Sequence, residues 1–271
     1  MLRTNIERRI LAAIEFYDVV TDAPVRELLR LEAGAGVSFV RNRSGYYVLL
    51  SAPGWEDYST CFLTPPDIAP RTLVLKVSDP HDRYLSRAFQ VTLPRSLDTA
   101  QENAVYKPVR VPVFPAPAAH TPSNWAKLYA TIKEEGTGHL LPWALLIVEW
   151  KGVKNTAMSS SGLADQRGEV VIPLPGILLQ VTSDDQDHLT ELETPLAATI
   201  YWDTSVTKLT SLEALKIEPV PNADYVPDLE ARLDPTALDA PAKVIKSTNY
   251  QPELKIKARQ TLAVTLHVKL S

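Results

Sequence analysis

Proline is the residue that most limits what this chain can build. It occurs 22 times in 271 residues, from Pro24 to Pro252. Inside a helix each one removes a backbone hydrogen bond and clashes with the preceding turn, at a cost of about 3 kcal/mol. Between the prolines lie short β-branched and aliphatic runs bounded by turn-forming residues, a spacing that predicts strands. Leu11–Asp18, Gly45–Leu50, Thr72–Val77 and Ala88–Leu93 are such runs in the first third of the chain, and residues 4–12 have a short helix as an alternative start. The expected fold class is all-β.

The most structured pattern lies between Thr131 and Pro175. A polar turn, Glu134-Glu135-Gly136-Thr137-Gly138, is followed by Leu140-Leu141-Pro142 and the apolar run from Trp143 to Val148. Later Asp165-Gln166-Arg167-Gly168 stands directly before the apolar run Val170–Leu174. Gly138 and Gly168 supply positive φ cheaply, Pro142 fixes its own φ after the turn, and Asp165 opens a tight hairpin. This arrangement resembles the carboxypeptidase regulatory-like domain, a transthyretin-type β-sandwich with a T-G-x-P-L-x-x-A turn and a D-x-x-G hairpin. The resemblance implies a scaffold or recognition module rather than a catalyst.

The first third repeats the plan in weaker form. Asp18–Val25 stands where Glu134–Pro142 stands later, and Arg41–Leu49, with Gly45 in the glycine position, matches Asp165–Ile172. In the first turn the repeat has Asp22 where the family carries glycine. The organisation expected is two tandem transthyretin/Ig-like β-sandwiches, residues 1–105 and 124–204, joined by a proline-rich connector, 106–123. Residues 205–271 follow as an extended arm and a C-terminal β-hairpin.

The connector Val109-Arg110-Val111-Pro112-Val113-Phe114-Pro115 favours an extended, polyproline-like course. Its apolar side chains, Val111 and Phe114 among them, are too many for a free linker, so it is expected to lie on a domain or a partner. Five spaced prolines interrupt residues 219–241, yet Leu215, Ile217, Tyr225, Leu229 and Leu233 accompany them. Leaving such side chains in water forgoes about 1.5–3 kcal/mol each, so the arm is expected to dock partly on a neighbouring subunit. Asp228–Leu233 is a short amphipathic helical candidate. In the last segment, Leu254/Ile256 and Leu262/Val264/Leu266/Val268/Leu270 keep one parity about a Lys257-Ala258-Arg259-Gln260 turn, which reads as a hairpin with one buried face.

Catalytic patterns are thin. His188 and Glu191 have the H-x-x-E spacing of zinc carboxypeptidases, but they sit in the polar stretch Ser183–Glu193, which reads as an exposed loop. The acidic residues of that stretch lack the glycine turn and ordered spacing of a calcium loop. Cys61 reads as a small buried hydrophobe, and Ser159-Ser160-Ser161-Gly162 is no nucleophile elbow. No phosphate- or dinucleotide-binding glycine motif occurs. The ending Val268-Lys269-Leu270-Ser271 lacks the Tyr-Arg-Gly-Ser tail of transthyretin-like ureide hydrolases. No cofactor or metal is expected. The tryptophans read as core, with sugar stacking as the alternative if one face is exposed.

A formal net charge of −4, with Lys and Arg scattered, disfavours nucleic acid as a partner. Glu7, Arg8 and Arg9 interrupt what a signal peptide needs, and no run reaches about 18 apolar residues. The expectation is a cytoplasmic protein without a membrane span. These readings point to a non-enzymatic structural or adaptor subunit that binds other protein subunits of a large assembly, including copies of itself. A bacterial phage-tail-like contractile injection particle fits that description. The alternative is a carbohydrate- or cell-surface-binding module, and a weaker one is a metallopeptidase-associated domain.

Overall fold

The computed structural model describes residues 10–60, 68–177, 193–206, 208–210, 244–247 and 253–270. Among them β-strands dominate and the one α-helix, α1 (Glu56–Thr60), spans five residues. No helix among the described residues is long and apolar enough to cross a membrane. The chain divides into two compact units, Met1–Pro80 with Ser86–Val113, and His81–Leu85 with Phe114–Ser271.

Unit 1 contains β1 (Ala12–Asp18), β2 (Arg30–Glu32), β3 (Ser38–Arg41), β4 (Tyr47–Ser51), β5 (Arg71–Ser78), β6 (Arg87–Leu93) and β7 (Val109–Val113). They form two sheets, β3-β4-β1-β7 and β2-β5-β6. The two-residue period of β1 points Ala12, Ile14 and Phe16 inward. Phe16 meets Tyr47 of its own sheet and Phe89 of the other edge-on, at 5.4 and 5.6 Å between ring centres. Burying each such aromatic stabilises the unit by about 1.5–3 kcal/mol. Arg87 lies fully within this unit, where its Nη1 donates to the Pro112 carbonyl at 2.7 Å.

Unit 2 contains β8 (Ala126–Glu134), β9 (Leu145–Lys151), β10 (Ala157–Leu163), β11 (Glu169–Leu174), β12 (Thr194–Asp203), β13 (Val244–Ser247), β14 (Leu254–Ile256) and β15 (Thr261–Val268). One sheet runs β10-β9-β12-β13, with β14 also on β12, and the other runs β11-β8-β15. Its core includes Leu128, Ile132, Leu141, Leu146, Ile172, Ile200 and Trp202.

The two units share a plan. In each, the first strand pairs in parallel with the last, β1 with β7 and β8 with β15, and antiparallel with the strand after the glycine hairpin, β4 or β11. The turn after the first strand is the same bond for bond. Asp18 N–H donates to Ala23, Asp22 N–H to Asp18 and Val25 N–H to Phe16; Glu134 N–H donates to His139, Gly138 N–H to Glu134 and Leu141 N–H to Ile132. Thr21 and Thr137 each donate to the acidic side chain that opens the turn, Asp18 or Glu134. The hairpins also agree: Asn42 exchanges main-chain bonds with Tyr46 and Gly45, and Asp165 does so with Glu169 and Gly168.

Two expectations about boundaries need correction. Residues 109–113 are not a connector but the last strand of unit 1. β7 is an edge strand, where Pro112 removes no ladder bond the sheet needs. Nor do β14 and β15 form a hairpin: β14 pairs with β12 and β15 with β8, in different sheets. The turn 257–260 is thus an arch that carries the chain from one sheet to the other. The alternating parity is the same in both arrangements, so the buried face is right and the neighbour is not.

Candidate interaction site

Gly138 and Gly168 have φ of 72° and 73°, and Gly45 has 91°. Asp165 closes its hairpin by accepting main-chain N–H groups from Arg167 at 2.8 Å and Glu169 at 3.1 Å through one carboxylate oxygen, while the other takes Arg167 Nε at 2.9 Å. That bond to Asp165 raises the Arg167 guanidinium above its ordinary pKa. The carbonyl of Pro142 accepts the Trp202 indole N–H at 3.0 Å.

The candidate partner contacts Val111 and Phe114 are corrected: they are 0% and 5% exposed, each packed within the chain itself. Leu215, Ile217, Tyr225, Leu229 and Leu233 lie outside the described residues, as do Cys61, the helical candidate 228–233 and the His188–Glu191 pair. Among the described residues no group of three or more His, Cys, Asp or Glu side chains converges as a metal site would need. Trp55, Trp143, Trp150 and Trp202 are all buried, 1–8% exposed. These four side chains are thus largely withdrawn from water and leave little ring surface for stacking at their positions.

What the sequence did not single out is a groove of about 560 Å³ on unit 2. Strands β9, β10 and β12 build it, with the turn between β9 and β10 at one end. In that turn Lys154 and Asn155 hold positive φ, 55° and 59°. Glu149 and Lys151 of β9, Ser159 of β10 and Ala197 of β12 line it from their exposed parity, while Trp150 and Met158 line it from the opposite one. The lining is strand backbone, small side chains and charges of both signs. Among the described residues its ionisable side chains are Glu149, Lys151 and Glu253. Among the described strands β10 pairs with β9 alone, on one side of its main chain.

A second constellation ties the chain after β12 to the first turn of the unit. Leu140 and Leu209 exchange main-chain bonds of 2.7 and 3.1 Å, and Lys208 Nζ meets Glu134 Oε1 at 2.7 Å. Lys208 first, then Thr137, holds the Glu134 carboxyl below its usual range.

No protein-family model matches this chain, and no curated protein and no solved structure is significantly similar to it.

Proposed function

We propose that this chain is a non-enzymatic structural or adaptor subunit, two transthyretin-like β-sandwiches of the carboxypeptidase regulatory-like kind, that binds other protein subunits of an assembly. The observation that carries the reading is the groove beside β10, whose second main-chain side meets no strand among the described residues. An extended segment of another protein can add to such an edge through main-chain bonds while its alternate side chains enter the groove. Small residues at Ala157, Ser159 and Ala197 leave room for a backbone to approach. The shared hydrogen-bond plan of the two units supports a scaffold role, because what repeats is the framework and what varies is the exposed connections. An assembly of the contractile-particle kind suits such a subunit.

The test is recovery of the tagged full-length chain from the cells that make it, with native mass spectrometry of what stays bound. Stoichiometric protein partners are expected, and Ser159→Arg with Ala197→Arg, both at exposed positions, should release them. Recovery of the chain alone would remove the reading. Truncation after Asp203 is unsuitable because it deletes β15, the strand paired with β8 from Lys127 to Glu134.

A further inference from the structure

Two edge strands, one in each unit, carry matching faces. β10 passes through Ala157-Met158-Ser159-Ser160-Ser161 without a proline, so each of these residues keeps its main-chain N–H. Its register on β9 sets Ser161 beside Ile147, Ser159 beside Glu149 and Ala157 beside Lys151. Three small side chains thus stand on the edge strand. One strand further in, on the same face, stand an apolar, an acidic and a basic one, with Glu149 and Lys151 exposed and Ile147 half-buried.

In unit 1, β2 lies at the edge of its sheet and pairs with β5 alone among the described strands. Its alternation extends back to residue 28: Leu28, Arg30 and Glu32 are exposed, Leu29 is buried and Leu31 half-buried. Leu28 is 64% exposed, the side chain of a strand face with nothing over it. Arg30 and Glu32 pair with each other at 3.1 Å, their side chains 71% and 53% exposed. An ion pair this wet is worth little, so exchanging it for other partners costs little. Among the described edge strands no other has an acid and a base two residues apart. Charges on a short edge strand discourage joining at random, and the order of these side chains selects one neighbour.

We infer that β2 of one copy of this chain adds to β10 of a second copy, antiparallel, with Leu28 opposite Ser161, Arg30 opposite Ser159 and Glu32 opposite Ala157. An added strand lies two strand spacings from β9, about 10 Å, a span that two long side chains close over a small residue between them. Leu28 then meets Ile147, Arg30 meets Glu149 and Glu32 meets Lys151, one apolar pair and two pairs of opposite charge. The parallel arrangement about Arg30 and Ser159 sets Glu32 against Ile147 and Leu28 against Lys151, so the side-chain order selects the antiparallel one. The joint takes unit 1 from one copy and unit 2 from the next, which makes it heterologous and lets it repeat head to tail. This rests on the adaptor reading of the β10 groove and names the occupant.

The experiment follows the mass of the purified full-length chain by sedimentation velocity over a range of concentrations. Association that grows with concentration and weakens with salt is expected. Arg30→Glu with Glu32→Arg reverses the β2 charges, and Glu149→Lys with Lys151→Glu reverses those of β9. Either pair alone should weaken association at least about tenfold, and the four substitutions together should restore it. All four positions are exposed, so the melting curves stay unchanged. Mixing the Ser159→Arg chain, which keeps its β2, with the β2-reversed chain, which keeps its β10, should give a dimer and nothing larger. A chain that stays monomeric, association indifferent to either pair, a fourfold variant that does not regain it, or a mixture that grows past the dimer overturns the β2–β10 joint and leaves the adaptor reading standing. So does a different protein recovered on β10 without self-association. The adaptor reading itself falls when the tagged chain leaves cells with neither a copy nor another protein bound.

Discussion

Units 1 and 2 solve the same folding problem with different residues at the same positions. Each reverses direction after its first strand through a position in the left-handed region, filled by Asp22 at φ 55° in unit 1 and by Gly138 at φ 72° in unit 2. Aspartate is among the few side chains that tolerate that region, and here its carboxylate finds use. Asp22 pairs with Arg110 of β7 at 2.8 Å, and Arg110 lies over the Tyr17 ring at 4.3 Å. In unit 2 the glycine offers no such contact, and the turn is fastened instead through Glu134 to Lys208. One backbone course can thus be anchored to the closing strand or to the chain leaving β12.

The units also differ in where the third strand goes. In unit 1, β3 pairs with β4; in unit 2, β10 leaves for the other sheet and pairs with β9. Gly162 near the end of β10 permits that course, since a Cβ there would sit 2.8 Å from the Val171 carbonyl oxygen and 2.8 Å from Val170 Cγ2. Gly162→Ala should therefore destabilise unit 2 by about 2–3 kcal/mol. A melting temperature within a degree of the unsubstituted chain would show that β10 does not need this close approach.

The hairpin glycines are matched in φ but not in surroundings. A Cβ on Gly168 would meet main-chain atoms, Ile132 O at 3.2 Å and Leu141 N at 3.4 Å. On Gly45 it would meet only the ends of Arg26 and Arg41, which can swing away. Both carry the left-handed penalty of about 1–2 kcal/mol. Gly168→Val should cost about 2–3 kcal/mol and Gly45→Val about 1–2, read by thermal denaturation. Equal costs would remove the distinction.

These hairpins were legible in the sequence because Asp165-Gln166-Arg167-Gly168 and Asn42-Arg43-Ser44-Gly45 state their chemistry locally: an Asn or Asp side chain that accepts the N–H four residues on, and a glycine for positive φ. The alternation of β1 and β15 was legible for the same reason. Partner strands were not. The parity of Leu262, Val264, Leu266 and Val268 fixes a buried face but is indifferent to whether β14 or β8 lies alongside. Val109–Val113 was ambiguous for a related cause, since prolines suit both a polyproline segment and an edge strand. The groove depends on exposure, which a single chain's letters do not carry.

Exchanging the left-handed residues sharpens the comparison at smaller amplitude. Asp22→Gly relieves backbone strain but gives up the Arg110 pair and loosens the unfolded chain, so the net change should fall within about 0.5 kcal/mol. Gly138→Asp adopts a conformation aspartate tolerates, with open space around the new Cβ, and should cost about 0.5–1 kcal/mol. Chemical denaturation of both variants checks this. A loss above about 2 kcal/mol for either would mean that the two turns are not interchangeable.

The smallest effect expected concerns how unit 2 fastens its turn. Glu134 has a carboxyl pKa below its unfolded value, first because Lys208 bonds to it and then because Thr137 does. A depressed carboxyl contributes its stability above the unfolded carboxyl range and loses it as pH falls through the folded value. His139 Nδ1 lies 3.6 Å from Glu134 Oε2 on the other side of the same carboxylate. Acidification should thus release the contact only as pH falls below the usual carboxyl range, the direction in which Lys208 and Thr137 hold this carboxyl. Local opening of Lys208–Thr210, followed by hydrogen exchange, should rise there, while the main-chain bonds between Leu140 and Leu209 resist it. Glu134→Gln keeps the Thr137 bond and removes the charge, so it should flatten this pH dependence. In unit 1 the corresponding residue, Asp18, accepts main-chain N–H groups from Val20 and Thr21, both at 2.9 Å. An equal acid-induced opening in Glu134→Gln would place the sensitivity elsewhere and leave the Lys208 contact without a fastening role.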